Sequence, residues 1–406
     1  MSDPTSFAQR ACPVCLQTDG RHVFRQQFAR LSEGSLMEGY DITLCNRCGA
    51  AFADHIPGQP VFDKYYADMS KYEHGDRDGR VSNEDLDICK KTADHLAPFI
   101  GESESIADIG CATGALLAEF KRRGFNNVTG FDPSHACCVA ARKLYDIEVR
   151  EAVISKLGNE TQRFDIVMMT GVLEHLCDVE FSLRSVTGLL KPGGRIFISV
   201  PDASCYHKWF SAPFQFFSME HINFFSPGSL ANLMLRMGFE NLLTQRVPRY
   251  LGPKAVEPVV MSLFKMKTVP DLPEKLKFDN ETGTALEAYI AASQAVENHL
   301  TSTINLIAET KTPIYVWGAG THTLRLLDNG GLAKANILAF IDSNRNYQGK
   351  SWNGISIIPP SDVHNLEAPI LISSHVAELE IKKLIVEKLK LPNRIITLYE
   401  NAPLSI

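Results

Sequence analysis

The chain reads as an α/β protein built on a doubly wound seven-stranded sheet, and three observations predict it. From Ile106 to about Lys267, apolar runs near 106–110, 127–131, 147–149, 164–169 and 195–200 alternate with stretches of helical periodicity. The first run leads into Asp108-Ile-Gly-Cys-Ala-Thr-Gly114, a glycine-bounded turn before a helical stretch over 115–123. The second run ends at Asp132, about twenty residues further on. A helix over 227–237 and apolar stretches near 240–247 and 257–265 complete the set. Strands and helices alternating in this way stack helices on both faces of a mostly parallel sheet. On such sheets ligands collect beyond the C-terminal strand ends, where Asp108, Asp132 and the stretch from Gly171 to His175 fall.

At 406 residues the chain exceeds one typical domain. The reading divides it into a small unit over 1–60, a helical lid or linker over 61–99, the sheet domain over 100–268, a helical linker over 269–311 and a last α/β unit over 312–406. With 45% hydrophobic and 22% charged residues the composition is that of a globular protein. A net charge of −6 without a Lys/Arg-rich block argues against nucleic acid as a partner. The N-terminus lacks a signal-peptide pattern and no apolar run reaches membrane-spanning length, so the expectation is a cytoplasmic protein with no membrane partner.

Four of the ten cysteines form two close pairs, Cys12-Pro-Val-Cys15 and Cys45-Asn-Arg-Cys48. Two such knuckles, joined by a small β-ribbon within 23–44, can offer four thiolates to one tetrahedral ion. A closed four-sulfur set predicts structural Zn2+ rather than catalysis. A redox pair would need a single Cys-x-x-Cys at a strand-to-helix junction. The other six cysteines are scattered and read as reduced packing residues.

The segment Phe62-Asp-Lys-Tyr-Tyr-Ala-Asp-Met-Ser-Lys-Tyr72 brings aromatic rings either to a lid or to a hinge, and a helix follows from about Asn83 to Phe99. A second long helix, Thr284 to Ala308, links the last two units. The final unit repeats the strand, glycine turn, helix, strand and acid order: Pro313-Ile-Tyr-Val-Trp-Gly-Ala-Gly320, a helix to Gly330, then Ile337 to Asp342. Further short strands fall at 354–358 and 369–374. This predicts a second, Rossmann-like domain, and Gly-x-Gly alone leaves ligand binding, a purely structural role and a homodimer contact all open.

The first turn has no Gly-x-Gly-x-x-Gly to cradle a pyrophosphate, yet it keeps the acidic residue that grips ribose hydroxyls. This pattern resembles motif I of class I S-adenosylmethionine-dependent methyltransferases. The resemblance implies a donor site made of Asp108, Gly110, Cys111, Thr113, Gly114, Asp132 and Pro133. Gly171 and Leu173 join it from Thr170-Gly-Val-Leu-Glu-His175, which is similar to the segment that closes over the donor in such enzymes. The cofactor carries the reactive methyl, so the protein's tasks are to hold it, exclude water and take a proton where the acceptor needs one. Two histidines follow strand ends, His175 and His221. The second lies in a long insertion flanked by Phe214, Phe216, Phe217, Phe224 and Phe225, surroundings that keep an imidazole neutral and basic.

A zinc knuckle unit, a methyltransferase unit with Glu220-His-Ile-Asn-Phe-Phe-Ser226, and a C-terminal Rossmann-like unit together resemble the three-part sugar C-methyltransferases. Those enzymes act on nucleotide-linked 4-keto-deoxysugars. The resemblance implies proton removal beside the ketone, an enolate, and attack of carbon on the donor methyl. His221 would be the base, Glu220 a hydroxyl-binding or base-orienting partner, His175 a site histidine, and Tyr66 or Tyr72 a phenol near the acceptor oxygen. The chain has Ser218-Met-Glu-His221 where members of that family commonly have Tyr-His-Glu-His, and Gly-Cys-Ala-Thr-Gly where Ile-Gly-Ser-Asn-Asp-Gly is common. Methyl transfer to oxygen or nitrogen of a surface-polysaccharide precursor or another small metabolite is the alternative, and a scaffold with a vestigial donor pocket is a third.

Overall fold

The computed structural model describes residues 10–28, 36–68, 80–250, 256–267, 275–375 and 377–400. Three antiparallel strands open the fold: β1 (Gly20–Gln27), β2 (Gly39–Cys45) and β3 (Ala51–Asp54). Two helices follow, α1 (Gln59–Asp68) and α2 (Asn83–Leu96). Ser82 starts α2 by accepting from the Asp85 N–H while the Asp85 carboxylate reaches back to the Ser82 N–H.

The central domain contains β4 (Ile106–Ile109), α3 (Ala115–Arg122), β5 (Val128–Asp132), α4 (His135–Tyr145), β6 (Val149–Glu151), β7 (Phe164–Thr170), α5 (Val179–Thr187) and β8 (Leu190–Pro201). It continues with β9 (Asn223–Phe224), α6 (Pro227–Arg236), β10 (Phe239–Tyr250) and β11 (Val256–Met266). The sheet order is β10-β11-β8-β7-β4-β5-β6, with β11 antiparallel to β8 and β10 paired to β11 as a hairpin. β4 and most of β7 are buried, as expected of strands with helices on both faces. This is the class I methyltransferase fold. The strands stand close to where the apolar runs place them, and β5 ends on Asp132 as the sequence predicts.

The small N-terminal unit is not self-contained. β9, from the insertion after β8, pairs with β3 and completes a four-stranded sheet in the order β1-β2-β3-β9. Tyr40 and Ile42 of β2 share one core with Tyr206, Phe217 and Phe224 of the insertion. The buried Arg10 guanidinium donates to the carbonyls of Ala53, Ile222 and Cys177 and to Asn223 Oδ1, so one side chain ties the N-terminus to the insertion and to the loop after β7. A buried charge spent on carbonyls alone is tolerable only because its hydrogen bonds are satisfied.

The long helix α7 (Thr282–Thr310) does more than link. Its first half, through Leu286, Tyr289 and Ile290, packs in that same core, where Tyr289 Oη accepts from the Phe216 N–H at 3.0 Å. Its second half, through Val296, Leu300 and Ile304, belongs to the core of the C-terminal domain. That domain contains β12 (Ile314–Trp317), α8 (Thr321–Asp328), β13 (Ile337–Ile341), β14 (Ser351–Trp352), β15 (Ile355–Ile358), β16 (Ile370–Ile372), α9 (Glu378–Lys383) and β17 (Ile395–Thr397). Its order is β14-β15-β13-β12-β16-β17, parallel except for the two-residue β14. β17 and the two-residue β14 escape the sequence reading. Among the described residues no helix is long and apolar enough to cross a membrane.

Candidate active site

The turn after β4 is built by backbone geometry. Gly110 and Gly114 have φ of +71° and +77°, a region that favours glycine, and a Cβ on Gly110 would lie 2.7 Å from Val172 Cγ2. The Gly110 N–H donates to the Phe131 carbonyl at 2.7 Å, which locks the turn to the end of β5. Asp132 is then held by two main-chain donors, Ala112 N–H to Oδ2 at 2.8 Å and Ser134 N–H to Oδ1 at 3.0 Å. Each carboxylate oxygen keeps acceptor capacity for a further donor.

A cavity of about 550 Å³ opens at these strand ends. Asp108, Gly110, Cys111, Thr113, Asp132, Pro133 and Gly171 line it, together with His175, Glu220, His221 and Tyr66. Leu173 does not reach the wall; it is fully buried in the core beneath, and Val172 lines the cavity in its place. Gly114 stands behind the turn as the N-cap of α3, where a Cβ would meet Ala141 and Ile147. Tyr72 lies outside the described residues. The sequence reading missed Ser134, Arg249, Glu257 and the α2 residues Asp85 and Cys89, which also line the wall. The α2 residues carry no motif, and their face is set only by packing of that helix on the sheet.

Electrostatically the cavity suits a cation. Among the described residues seven carboxyl side chains line it beside one arginine, Arg249, which is paired to Glu257 at 3.0 Å. Burial, reinforced by the neighbouring Asp132, pushes the Asp108 carboxyl up to about 8, and burial does the same to Glu174. Buried Thr113 Oγ1, Thr170 Oγ1 and Glu174 Oε2 have no hydrogen-bond partner within the protein. Orphaned polar atoms around an acidic pocket match a ligand that brings a positive charge, an ammonium and a ribose. The residues present therefore fit S-adenosylmethionine.

The candidate catalytic side chains converge on the same cavity. His175 Nδ1 lies 3.0 Å from the Glu220 carbonyl oxygen and 3.0 Å from Tyr66 Oη. A carbonyl can only accept, so the proton on Nδ1 serves it and the tautomer is set by this contact. The His221 ring meets His175 edge to face at 4.9 Å. The Glu220 carboxylate accepts from Tyr65 Oη at 2.7 Å, a tyrosine that the sequence reading passed over in favour of its neighbours. Burial and the nearby Glu220 raise the phenols of Tyr65 and Tyr66 well above the usual tyrosine range, so both remain protonated donors. The loop carrying these groups is fixed from below, because the Asn223 amide donates to the carbonyls of Leu173 and Leu176.

A second cavity, of about 680 Å³, adjoins the first and shares His221 and Glu257 with it. Its far wall is the C-terminal turn with Gly318, Gly320, His322 and Asp342. His322 is engaged internally, with Ser373 Oγ and the Tyr399 hydroxyl, and burial lowers it to about 4.

The four knuckle cysteines come together, with Cys12 Sγ 3.6 Å from Cys48 Sγ and Cys15 Sγ 3.4 Å from Cys45 Sγ. All four sulfurs lie within 4.8 Å of one another. For Zn–S bonds of about 2.3 Å a tetrahedron needs sulfurs about 3.8 Å apart, so the donor set fits a zinc ion.

Comparison with known proteins agrees with this geometry. A family model described as a methyltransferase domain matches residues 82–244, and one described as C2185-like, N-terminal matches residues 310–397. A ubiquinone biosynthesis O-methyltransferase of Rhizobium leguminosarum bv. trifolii is 35% identical over 103 residues, 24% of this chain and 40% of the relative. Its counterpart in Brucella ovis is 32% identical over 118 residues, 28% of this chain and 47% of the relative. The chain thus spans less than half the length of these relatives. Among solved structures, a Burkholderia thailandensis 1,6-didemethyltoxoflavin-N1-methyltransferase with bound 1,6-didemethyltoxoflavin and S-adenosylhomocysteine is similar at 21% identity and TM-score 0.39, covering 54% of this chain and 96% of that one. A SAM-dependent methyltransferase of Anabaena variabilis is similar at 16% identity and TM-score 0.38, covering 46% and 86%. With the topology, the glycine turn and the acidic hook on the page, residues 82–244 are a SAM-dependent methyltransferase domain.

Proposed function

We propose that the whole chain is a methyltransferase whose acceptor is a nucleotide-linked sugar, and that the methyl goes to a carbon activated by base. The observation that carries this reading is the meeting of the two cavities at His221 and Glu257. An acceptor with a reactive sugar at one end and a nucleotide at the other could lie across both, with its reacting centre beside the donor and its nucleotide against the C-terminal turn. When bound, S-adenosylmethionine supplies an electrophilic methyl on a sulfonium that departs as a neutral thioether.

The chain's own residues do the rest. His221 stands at the junction and takes the proton from the carbon beside the ketone. Among the flanking phenylalanines, Phe216 lines the second cavity with His221. The His175 ring steadies His221 edge to face, and Tyr65 orients the Glu220 carboxylate for an acceptor hydroxyl. The Tyr66 phenol, kept protonated, can donate to the developing enolate oxygen. The four thiolates hold zinc as a structural ion.

Transfer to an acceptor oxygen is the second reading, favoured by the names of the O-methyltransferase relatives. Their similarity spans about a quarter of this chain and less than half of their own length, however. The test is solvent-deuterium exchange at the carbon next to the ketone of a nucleotide-linked 4-keto-deoxysugar, without donor. The wild type should exchange and His221→Ala should not, while donor affinity stays within a few-fold. Methyl transfer to a sugar hydroxyl, with no exchange by the wild type, would replace this reading by the second.

A further inference from the structure

The two glycine turns of this chain are built alike down to individual hydrogen bonds. In the donor domain Gly110 N–H donates to the carbonyl of the residue before Asp132, Ala112 N–H to Asp132 Oδ2, and Ser134 N–H to Asp132 Oδ1. In the C-terminal domain Gly318 N–H donates to the carbonyl of Ile341 at 2.8 Å, the residue before Asp342. Ala319 N–H donates to Asp342 Oδ2 at 2.7 Å, and Asn344 N–H, two residues on, donates to Asp342 Oδ1 at 2.7 Å. A carboxylate fixed in this way at the end of the second strand, beside a glycine turn, is oriented to accept from a ribose diol. Among the described residues no cation pairs with it, and it lines the second cavity.

What differs between the turns concerns charge. Two residues before the glycine, the donor strand has the buried acid Asp108, and the C-terminal strand has the fully buried Val316. As at the donor turn before α3, α8 starts with no side-chain cap, so its first N–H groups are left as donors. A Cβ on Gly320 would meet nothing within 4 Å, so a ligand can come right up to the main chain there. Tyr347, 37% exposed, offers a ring on the same cavity. The second turn thus lacks the buried acid that lies beneath the first, while both turns leave helix N–H donors beside the carboxylate.

We propose that the C-terminal turn is a second nucleoside site in which Asp342 grips the 2′- and 3′-hydroxyls of a ribose and the start of α8 holds a diphosphate. Resting on the reading of the acceptor as nucleotide-linked, this makes its handle a ribonucleoside diphosphate rather than a 2′-deoxy one. The preference follows from chemistry: a deoxyribose lacks one of the two donors, and the carboxylate oxygen facing it loses a charge-assisted hydrogen bond.

The test is calorimetric titration of the full chain with ADP, GDP, CDP and UDP and with the four 2′-deoxy counterparts, beside a parallel titration with S-adenosylhomocysteine. We expect one ribonucleoside diphosphate to bind and its deoxy form to bind about tenfold or more weakly. Asp342→Asn should reduce that binding by about tenfold and shrink the ribo-to-deoxy ratio, with S-adenosylhomocysteine affinity unchanged. Gly320→Val, at an extended position with φ of −124°, should block the diphosphate without straining the backbone. If Asp342→Asn fails to fold, as loss of S-adenosylhomocysteine binding would reveal, Gly320→Val and the wild-type ratio decide the matter. No binding of any ribonucleoside diphosphate at millimolar concentration, or equal binding of ribo and deoxy forms, overturns the proposal. Either result, with S-adenosylhomocysteine still bound, leaves the methyltransferase reading standing; nucleotide binding without S-adenosylhomocysteine binding does the reverse.

Discussion

Asp132 and Asp342 occupy the same place on two sheets of the same chain, each near a helix start without a side-chain cap, yet one is 7% exposed inside an acidic cavity and the other is half-buried. On the proposed reading the strand, turn and acid supply a grip on ribose at both places, while the residues beneath the turn set the charge around it. In the donor domain Asp108 and Glu174 are buried acids that a bound cation can ionise; in the C-terminal domain Val316 offers none. The largest expected effect that separates the two is loss of the first hook. Asp132→Ala removes two charge-assisted contacts to the ribose and the anchor of the turn, and should weaken S-adenosylhomocysteine binding by about a hundredfold or more. Ribonucleoside diphosphate affinity should hold within a few-fold. Equal losses at both sites, measured by calorimetry, would mean that the turns are not independent grips.

The hooks differ in how legible they are from sequence. Asp132 ends a five-residue strand after a turn whose glycines adopt positive φ, so both local chemistry and spacing announce it. Asp342 stands in an equally regular pattern, but Gly318-Ala-Gly320 occurs in structural turns as well, and only the paired hydrogen bonds reveal the likeness. The catalytic cluster was half legible. His175 and His221 follow strand ends and can be found by position, whereas Tyr65 and Glu220 are partners across 155 residues, a contact that no local pattern encodes. The same holds for Arg10 and Asn223, whose shared bond at 2.9 Å spans 213 residues. Domain boundaries blur for the same reason: β9 and the first half of α7 are local in sequence but are claimed by a distant core.

A smaller effect sharpens the charge argument. Asp108 has an ordinary value of 3.8 and is raised to about 8 in the fold. Between those values the folded protein holds a proton that the unfolded chain has released, so the unfolded state binds fewer protons and stability falls as pH rises from about 4 to about 8. The slope should flatten in Asp108→Asn. A bound cation reverses the preference by favouring the carboxylate, so S-adenosylmethionine should bind more tightly as pH rises towards 8 and should expel up to about one proton at neutral pH. Titrations in buffers of different ionisation enthalpy measure that proton. Binding at the Asp342 site should show no such release from this source, since Val316 has nothing to titrate. A proton count unchanged in Asp108→Asn would assign the release to Glu174 instead.

The smallest expected effect on either hook comes from the metal. The knuckles sit on α6, where Arg236 donates to the Val14 carbonyl at 2.8 Å, and Cys12, Cys45 and Cys48 share a core with Leu230 and Leu233. None of the four knuckle cysteines lines either cavity. Removing zinc with a chelator should therefore lower the melting temperature by several degrees and leave both ligand affinities within a few-fold at 25 °C. The two hooks need not respond identically, because the N-terminal sheet is completed by β9 and Arg10 reaches the loop after β7 that carries Glu174 and His175. If chelation does disturb chemistry, turnover should fall before donor affinity does. Metal loss would loosen Asn223 and hence the carbonyls it holds beneath the histidines, while Asp132 is anchored by its own turn. A chelated protein that melts as the native one does, yet binds neither ligand, would place the ion in the chemistry and reverse this ordering.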